Sequence, residues 1–236
     1  WLHFVGGGDF DAIGRAFLNH FTRIAGLLPH EAVLDIGCGV GRIALPLAGY
    51  LGNEGRYEGF DIVPAGVRWC QRHVTPFYPR FRFQLADIYN AEYNPNGRLE
   101  ARDYVFPYAD ASFDFAFLTS VFTHMLPADV ARYLAQIRRV LKPGGRCLAT
   151  FFFLNDEARA LIGAGKSMHR FEHDGGGYFT TAPGRPEAAI AYAEHDVLAM
   201  AHSAGLRPQE PIFYGSWCGR AQFTDGQDIV LLHRDV

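Results

Sequence analysis

No apolar run in this chain of 236 residues approaches the roughly 20 residues that a membrane-crossing helix needs. Nor does the chain open with the charged, then apolar, then small-residue order that directs secretion. Together these absences point to the cytoplasm. Positive charge is neither abundant nor clustered: 22 Lys and Arg stand against 25 Asp and Glu, a formal charge of −3. Non-specific affinity for nucleic acid rests on clustered cations, so nucleic acid is not the expected partner. Cysteine is scarce, and Cys38, Cys70, Cys147 and Cys218 lie far apart with no C-x-x-C pair. Reduced, buried thiols are expected in place of disulfides or a zinc site. No H-E-x-x-H occurs, and the i, i+4 pair His169 and His173 runs straight into Gly175-Gly176-Gly177, so no metal site is expected. Internal repeats and low-complexity linkers are missing too. With 49% hydrophobic residues, the chain is long enough to bury a full core, and residues 1–236 read as one domain.

What is present is organised around Val33-Leu34-Asp35-Ile36-Gly37-Cys38-Gly39-Val40-Gly41-Arg42. An apolar run holding one acid and ending in alternate glycines reads as a buried parallel strand turning sharply into a helix. A ligand can approach such a backbone where no Cβ intervenes. The dinucleotide fingerprint G-x-G-x-x-G is lacking, because Arg42 occupies its third glycine position and would crowd a pyrophosphate. A second strand, Arg56 to Asp61, ends in an acid 20 residues beyond Gly41, a distance at which a carboxylate can accept both hydroxyls of a bound ribose.

Further elements follow in alternation. Asp9 is placed to cap a helix running to about Gly26, with Ile13, Phe17, Phe21 and Ile24 at helical spacing. Helices are expected through Leu51, from Pro64 to Phe77, from Pro127 and from about Pro186 to Ser203. The remaining strands are Phe81–Leu85, Phe113–Ser120, Cys147–Phe153, Glu210–Tyr214 and Ile229–His233. This alternation implies an α/β fold.

The G-x-G-x-G turn after a strand acid, Asp61, Ala86-Asp87-Ile88, Phe113-Asp114-Phe115-Ala116-Phe117-Leu118-Thr119-Ser120 and Leu141-Lys142-Pro143-Gly144-Gly145-Arg146 together resemble class I S-adenosylmethionine (SAM)-dependent methyltransferases. The resemblance covers residues 31–153 and weakens on either side. It implies a Rossmann-like, mostly parallel seven-stranded sheet with helices on both faces and a C-terminal antiparallel hairpin. It also implies SAM as cofactor, held by Asp35, Gly37, Cys38, Gly39, Gly41, Asp61, Ile62, Asp87, Ile88, Thr119 and Ser120. For Asp87 the alternative is a plain turn aspartate.

His124 follows the fourth strand, where the resemblance places the methyl group, and its near-neutral reference pKa suits a general base for an alcohol. A structural histidine packed against the cofactor is the competing reading. Residues 1–28 are expected to form a lid, since Gly6-Gly7-Gly8 supplies a hinge. Residues 88–107 and 155–186 are expected as walls of an acceptor pocket, because long connections in compact domains are usually functional or disordered and five aromatics between Asp87 and Phe113 argue against disorder in the first. Phe10, Tyr93, Tyr108, Phe152, Tyr214 and Trp217 are the candidate acceptor contacts. The expected reaction is methylation of a small molecule, foremost a hydroxyl of a sugar or comparable alcohol. N- or C-methylation by proximity, a silent SAM-binding regulator and a nicotinamide oxidoreductase are the alternatives. The oligomeric state is not readable from the sequence.

Overall fold

The computed structural model describes residues 7–236. The expected lid therefore lies partly outside the described residues, in 1–6. Five strands run parallel: β1 (Ala32–Ile36), β2 (Arg56–Asp61), β3 (Phe81–Leu85), β4 (Phe113–Leu118) and β5 (Leu141–Phe151). Two more, β10 (Arg207–Phe213) and β11 (Asp228–His233), form an antiparallel hairpin whose second strand pairs β5. The order across the seven-stranded sheet is β10-β11-β5-β4-β1-β2-β3. Chain order reverses between β1 and β4, and a crevice opens at such a switch point beyond the carboxyl ends of the strands. The edge strand β10 contains Pro208 and Pro211, residues that lack an N–H and are tolerated only where no neighbour needs one.

Every residue of β1 is buried, which explains why its sequence is apolar without alternation: both faces of the sheet are covered. One face carries α1 (Phe10–Arg23), α2 (Ala44–Tyr50) and α3 (Pro64–His73), whose Phe17, Phe21, Leu47, Val67 and Cys70 pack on Val33, Tyr57, Phe115 and Phe117. The other carries α4 (Pro127–Val140) and α6 (Glu194–Ser203), which meet Leu34, Ala116, Leu118 and Ala149. Asp9 caps α1 by accepting the Ala12 N–H at 2.8 Å. Gly14 brings α1 against the glycine turn so closely that a Cβ there would lie 2.4 Å from the Arg42 carbonyl oxygen.

The chain between β5 and α6 departs from the expected layout. It builds a second, four-stranded sheet, β6-β9-β8-β7, from Phe153–Leu154 (β6), His173–Asp174 (β7), Phe179–Thr180 (β8) and Ile190–Ala193 (β9), with α5 (Asp156–Gly163) packed on it. The expected helix from Pro186 to Ser203 is thus corrected: a short 3-10 turn covers Pro186–Ala188, β9 follows, and the helix begins only at Glu194. Ala189, Ile190, Ala191, Tyr192 and Ala193 are all buried, and β9 pairs with β6 and β8. Alanine's helix preference is a fraction of a kcal/mol per residue and yields to that packing.

Candidate active site

The turn after β1 folds back on β2. Gly37 and Cys38 donate their N–H groups to the Phe60 carbonyl at 2.9 and 3.1 Å. Gly37 has φ +89°, and a Cβ on it would sit 2.5 Å from Val121 Cγ2, so both conformation and space demand glycine. Asp61 closes the turn from below: one carboxylate oxygen accepts Gly39 N–H and the other Val63 N–H, both at 2.7 Å. Burial holds its pKa above the ordinary range, and those backbone hydrogen bonds pull it back down. Asp35, 3% exposed, takes a 2.5 Å hydrogen bond from the Tyr57 hydroxyl. Burial nevertheless pushes its pKa up to about 8. The Cys38 thiol is likewise driven up by burial, which keeps it protonated and unreactive.

The opposite wall begins where β4 ends. Ser120 adopts φ +57°, a left-handed conformation that costs a non-glycine residue roughly 1–2 kcal/mol. Three hydrogen bonds hold it there: Ser120 N–H to Thr150 Oγ1 (2.9 Å), Ser120 Oγ to Gln227 Oε1 (3.2 Å), and Thr150 Oγ1 to the same Gln227 oxygen (2.6 Å). The cleft between these walls has a volume of about 450 Å³, the size of a small-ligand site.

Of the residues singled out in the sequence, Asp35, Gly37, Cys38, Gly39, Asp61, Ile62, Ile88, Thr119, Ser120, His124, Tyr93 and Phe152 line this cleft. Six others lie outside its walls. Gly41 faces α3 instead, where a Cβ would stand 3.1 Å from Cys70 Sγ; its absent side chain serves helix packing. The Asp87 carboxylate is turned to an ion pair with Arg98. Phe10 opens α1. Tyr108 stands edge-on to Phe113 at 5.1 Å, its hydroxyl buried without a partner among the described residues. Tyr214 donates to Glu194 at 3.0 Å, and Trp217, 1% exposed, donates Nε1–H to Asp228 at 2.7 Å. Trp217 does touch the site indirectly, packing 5.2 Å behind the Phe152 ring.

His124 occupies a single 3-10 turn, Phe122–His124. Its Nδ1 lies 2.7 Å from the Glu187 carbonyl oxygen. A carbonyl only accepts, so Nδ1 carries the hydrogen and the neutral ring keeps its lone pair on Nε2. Nε2 is 3.4 Å from the Tyr93 hydroxyl. Burial lowers the His124 pKa, and the neutral form that could take a proton prevails at neutral pH.

The cleft also contains residues for which the sequence offered little signal. Arg42 is the one Lys or Arg among the described residues of the wall; burial lowers its pKa against the opposing pull of Asp225. His169, read only as half of a doubtful metal pair, lines the cleft with its ring 5.1 Å from Phe152, while His173 is exposed in β7. Glu187, Asn90 and Gln227 line it as well. Only Asn90-Ala91-Glu92-Tyr93 had a readable local signature, an Asx-type turn in which Asn90 Oδ1 accepts the N–H groups of Glu92 and Tyr93 at 3.1 and 3.0 Å.

Residues 33–145 match the family described as methyltransferase domain. The chain is 32% identical over 136 residues to the 27-O-demethylrifamycin SV methyltransferase of Amycolatopsis mediterranei, covering 56% of this chain and 43% of that protein. It spans less than half the length of the curated relatives it matches. Among solved structures, the PH0226 protein of Pyrococcus horikoshii superposes with a TM-score of 0.66 at 14% identity, over 99% of this chain and 94% of that one. The 1,6-didemethyltoxoflavin-N1-methyltransferase of Burkholderia thailandensis, solved with S-adenosylhomocysteine (SAH), superposes with a TM-score of 0.58 at 20% identity, over 96% and 79%. These likenesses establish the Rossmann-like fold. No helix among the described residues is long and apolar enough to cross a membrane.

Proposed function

We propose that the chain, whose residues 33–145 match the methyltransferase-domain family, is a class I SAM-dependent methyltransferase that transfers a methyl group from SAM to a hydroxyl of a small molecule. The observation that carries the acceptor chemistry is the His124 geometry: in a residue lining the cleft, an Nδ1 held 2.7 Å from a carbonyl and an Nε2 lone pair met only by the Tyr93 hydroxyl at 3.4 Å among the described residues. SAM, when bound, supplies an electrophilic methyl group on a sulfonium sulfur.

The residues around the glycine turn fit that molecule. Gly37 lets Val121 pack against the turn at the edge of the cleft, the Asp61 carboxylate retains lone pairs for ribose hydroxyls, and Ile62, Ile88 and Val121 offer apolar surface. Arg42 is the cation available to the cofactor's carboxylate. Asp35 and Asp61 lie in the same wall and favour a ligand with a net positive charge.

On the acceptor side the chain must orient a hydroxyl and remove its proton. Alignment of reacting groups supplies roughly 7–11 kcal/mol of barrier reduction. His124 Nε2 receives the proton, and Tyr93 and Phe152 restrict the acceptor's pose. An amine acceptor is the second reading, favoured by the carboxylates Asp129 and Glu187 in the same cleft. The test is SAH formation with panels of alcohols and amines, repeated with His124→Ala. The base assignment expects turnover on alcohols to fall by about 10²-fold or more, with SAM affinity kept. Turnover within roughly threefold of the parent, ~0.65 kcal/mol on the barrier, would remove the base. Absence of SAM binding would remove the methyltransferase reading itself.

A further inference from the structure

His124 is not held by its own element. Its 3-10 turn has no side-chain cap, and the group that fixes its ring, the Glu187 carbonyl, comes from the excursion before β9. Glu187 lies in another single 3-10 turn, Pro186–Ala188, also without a side-chain cap. That turn is tied across the cleft by its carboxylate. Oε1 accepts from Asn90 Nδ2 at 3.0 Å and Oε2 from the Ala91 N–H at 3.1 Å. The same Asn90 Nδ2 lies 3.3 Å from the His124 carbonyl oxygen, and Asn90 Oδ1 shapes the turn that carries Tyr93. Asn90 is 7% exposed. One buried node therefore joins residues 97 positions apart and meets both ends of the His124 residue, ring and backbone.

We propose that Glu187 is a positioning residue for the methyl-transfer site. Its carboxylate, anchored on Asn90 and Ala91, sets its own carbonyl where it accepts the Nδ1 hydrogen of His124, so that Nε2 is left as the acceptor of a proton in the cleft. This rests on the reading of His124 as the acceptor-facing group. The two tautomers of a neutral imidazole are close in energy, and the hydrogen bond made by one nitrogen decides which is present. A merely structural Glu187 would stabilise the wall without deciding the tautomer. Other groups facing His124 are the Tyr93 phenol and, at longer range, the Glu92 carboxylate and the His169 imidazole. None of these contacts Nδ1 in the structure, so none replaces the carbonyl.

The experiment is long-range 1H–15N NMR of the histidine rings, titrated with pH, for the parent, Glu187→Ala and Glu187→Gln, with His124 assigned through His124→Gln. The parent is expected to show the Nδ1-protonated pattern at His124 and to titrate below the ordinary value. In Glu187→Ala the nitrogens should move toward a tautomeric mixture. Glu187→Gln keeps an oxygen for Asn90 but sets an NH2 group against the Ala91 N–H, so its pattern should fall between those of the parent and Glu187→Ala. An Nε2-protonated parent overturns the proposal, as does an unchanged His124 pattern in a folded Glu187→Ala protein. Should Glu187→Ala fail to fold, Asn90→Ser removes the side-chain half of the anchor, and an unchanged pattern there overturns the proposal. Failure of the parent to bind SAH in calorimetry would refute the methyltransferase reading while leaving the tautomer result standing, so the two fail separately.

Discussion

Replacing Asp61 tests the cofactor half of the cleft without any knowledge of the acceptor. The carboxylate ends β2 at the bottom of the glycine turn, 8% exposed, and spends one lone pair of each oxygen on Gly39 and Val63 N–H. A carboxylate has about four acceptor sites, so one on each oxygen remains for a ribose hydroxyl. A hydrogen bond to a charged group contributes about 1.5–3 kcal/mol net, which converts to roughly 10–150-fold in affinity at ~1.4 kcal/mol per decade. Asp61→Ala should therefore weaken SAH binding by that factor in isothermal calorimetry. Folding should suffer less than binding, because the substitution also removes a charge whose pKa is raised by burial, offsetting the loss of two backbone partners. 5′-Methylthioadenosine keeps the ribose and lacks the amino-acid tail, so its affinity should fall by the same factor as that of SAH. Unchanged affinity for both ligands in a folded variant would refute the ribose role, and a loss confined to SAH would mean that Asp61 meets the other end of the cofactor.

Arg42→Met should show the converse selectivity, with SAH weakened by about tenfold or more and 5′-methylthioadenosine unaffected; equal losses would deny Arg42 the carboxylate. The Asp35 pKa is raised by burial from the ordinary 3.8 to about 8, so its contribution to folding is fully present below the unfolded value and is lost as pH rises through the folded one. The unfolding temperature of the ligand-free protein should accordingly decline between mildly acidic pH and pH above 8, and Asp35→Asn should flatten that decline. Cationic SAM favours the ionised carboxylate, so its binding should release protons at neutral pH, which calorimetry in buffers of different ionisation enthalpy reads directly; zero proton release would argue against Asp35 as a neighbour of the cofactor. Asp228, fully buried, accepts from Phe153 N–H, Gly215 N–H, Trp217 Nε1–H and Arg220 Nη1–H. Breaking a buried pair of this kind costs about 3–5 kcal/mol, and Asp228→Ala should lower the urea midpoint accordingly; a midpoint equal to the parent's would show that Glu157 and water compensate.

The local determinants were written in the sequence by itself. An unbroken apolar run before alternate glycines specified β1 and its turn, because only a strand covered on both faces tolerates such a run and only glycine fits φ +89° against Val121. Asp9 specified the start of α1 through its own side chain. Asp61 was legible for a similar reason: its distance from the turn is set by one helix and one strand of ordinary length. Tertiary structure decided what depends on partners remote in the chain. Ile190–Ala193 became a strand because β6 and β8 offered it unpaired backbone, a pairing that Ile190 and Tyr192 favour but that so short a segment beside a helix does not specify. Tyr108, Tyr214 and Trp217 looked like pocket aromatics, yet an aromatic residue fits a core as well as a cleft, and the packing of neighbouring elements sent these three away from the cleft. The surroundings of His124 were the least legible of all. Its tautomer follows from a carbonyl on Glu187, and the place of that carbonyl follows from Asn90, a contact that exists only after two separate excursions have met across the cleft.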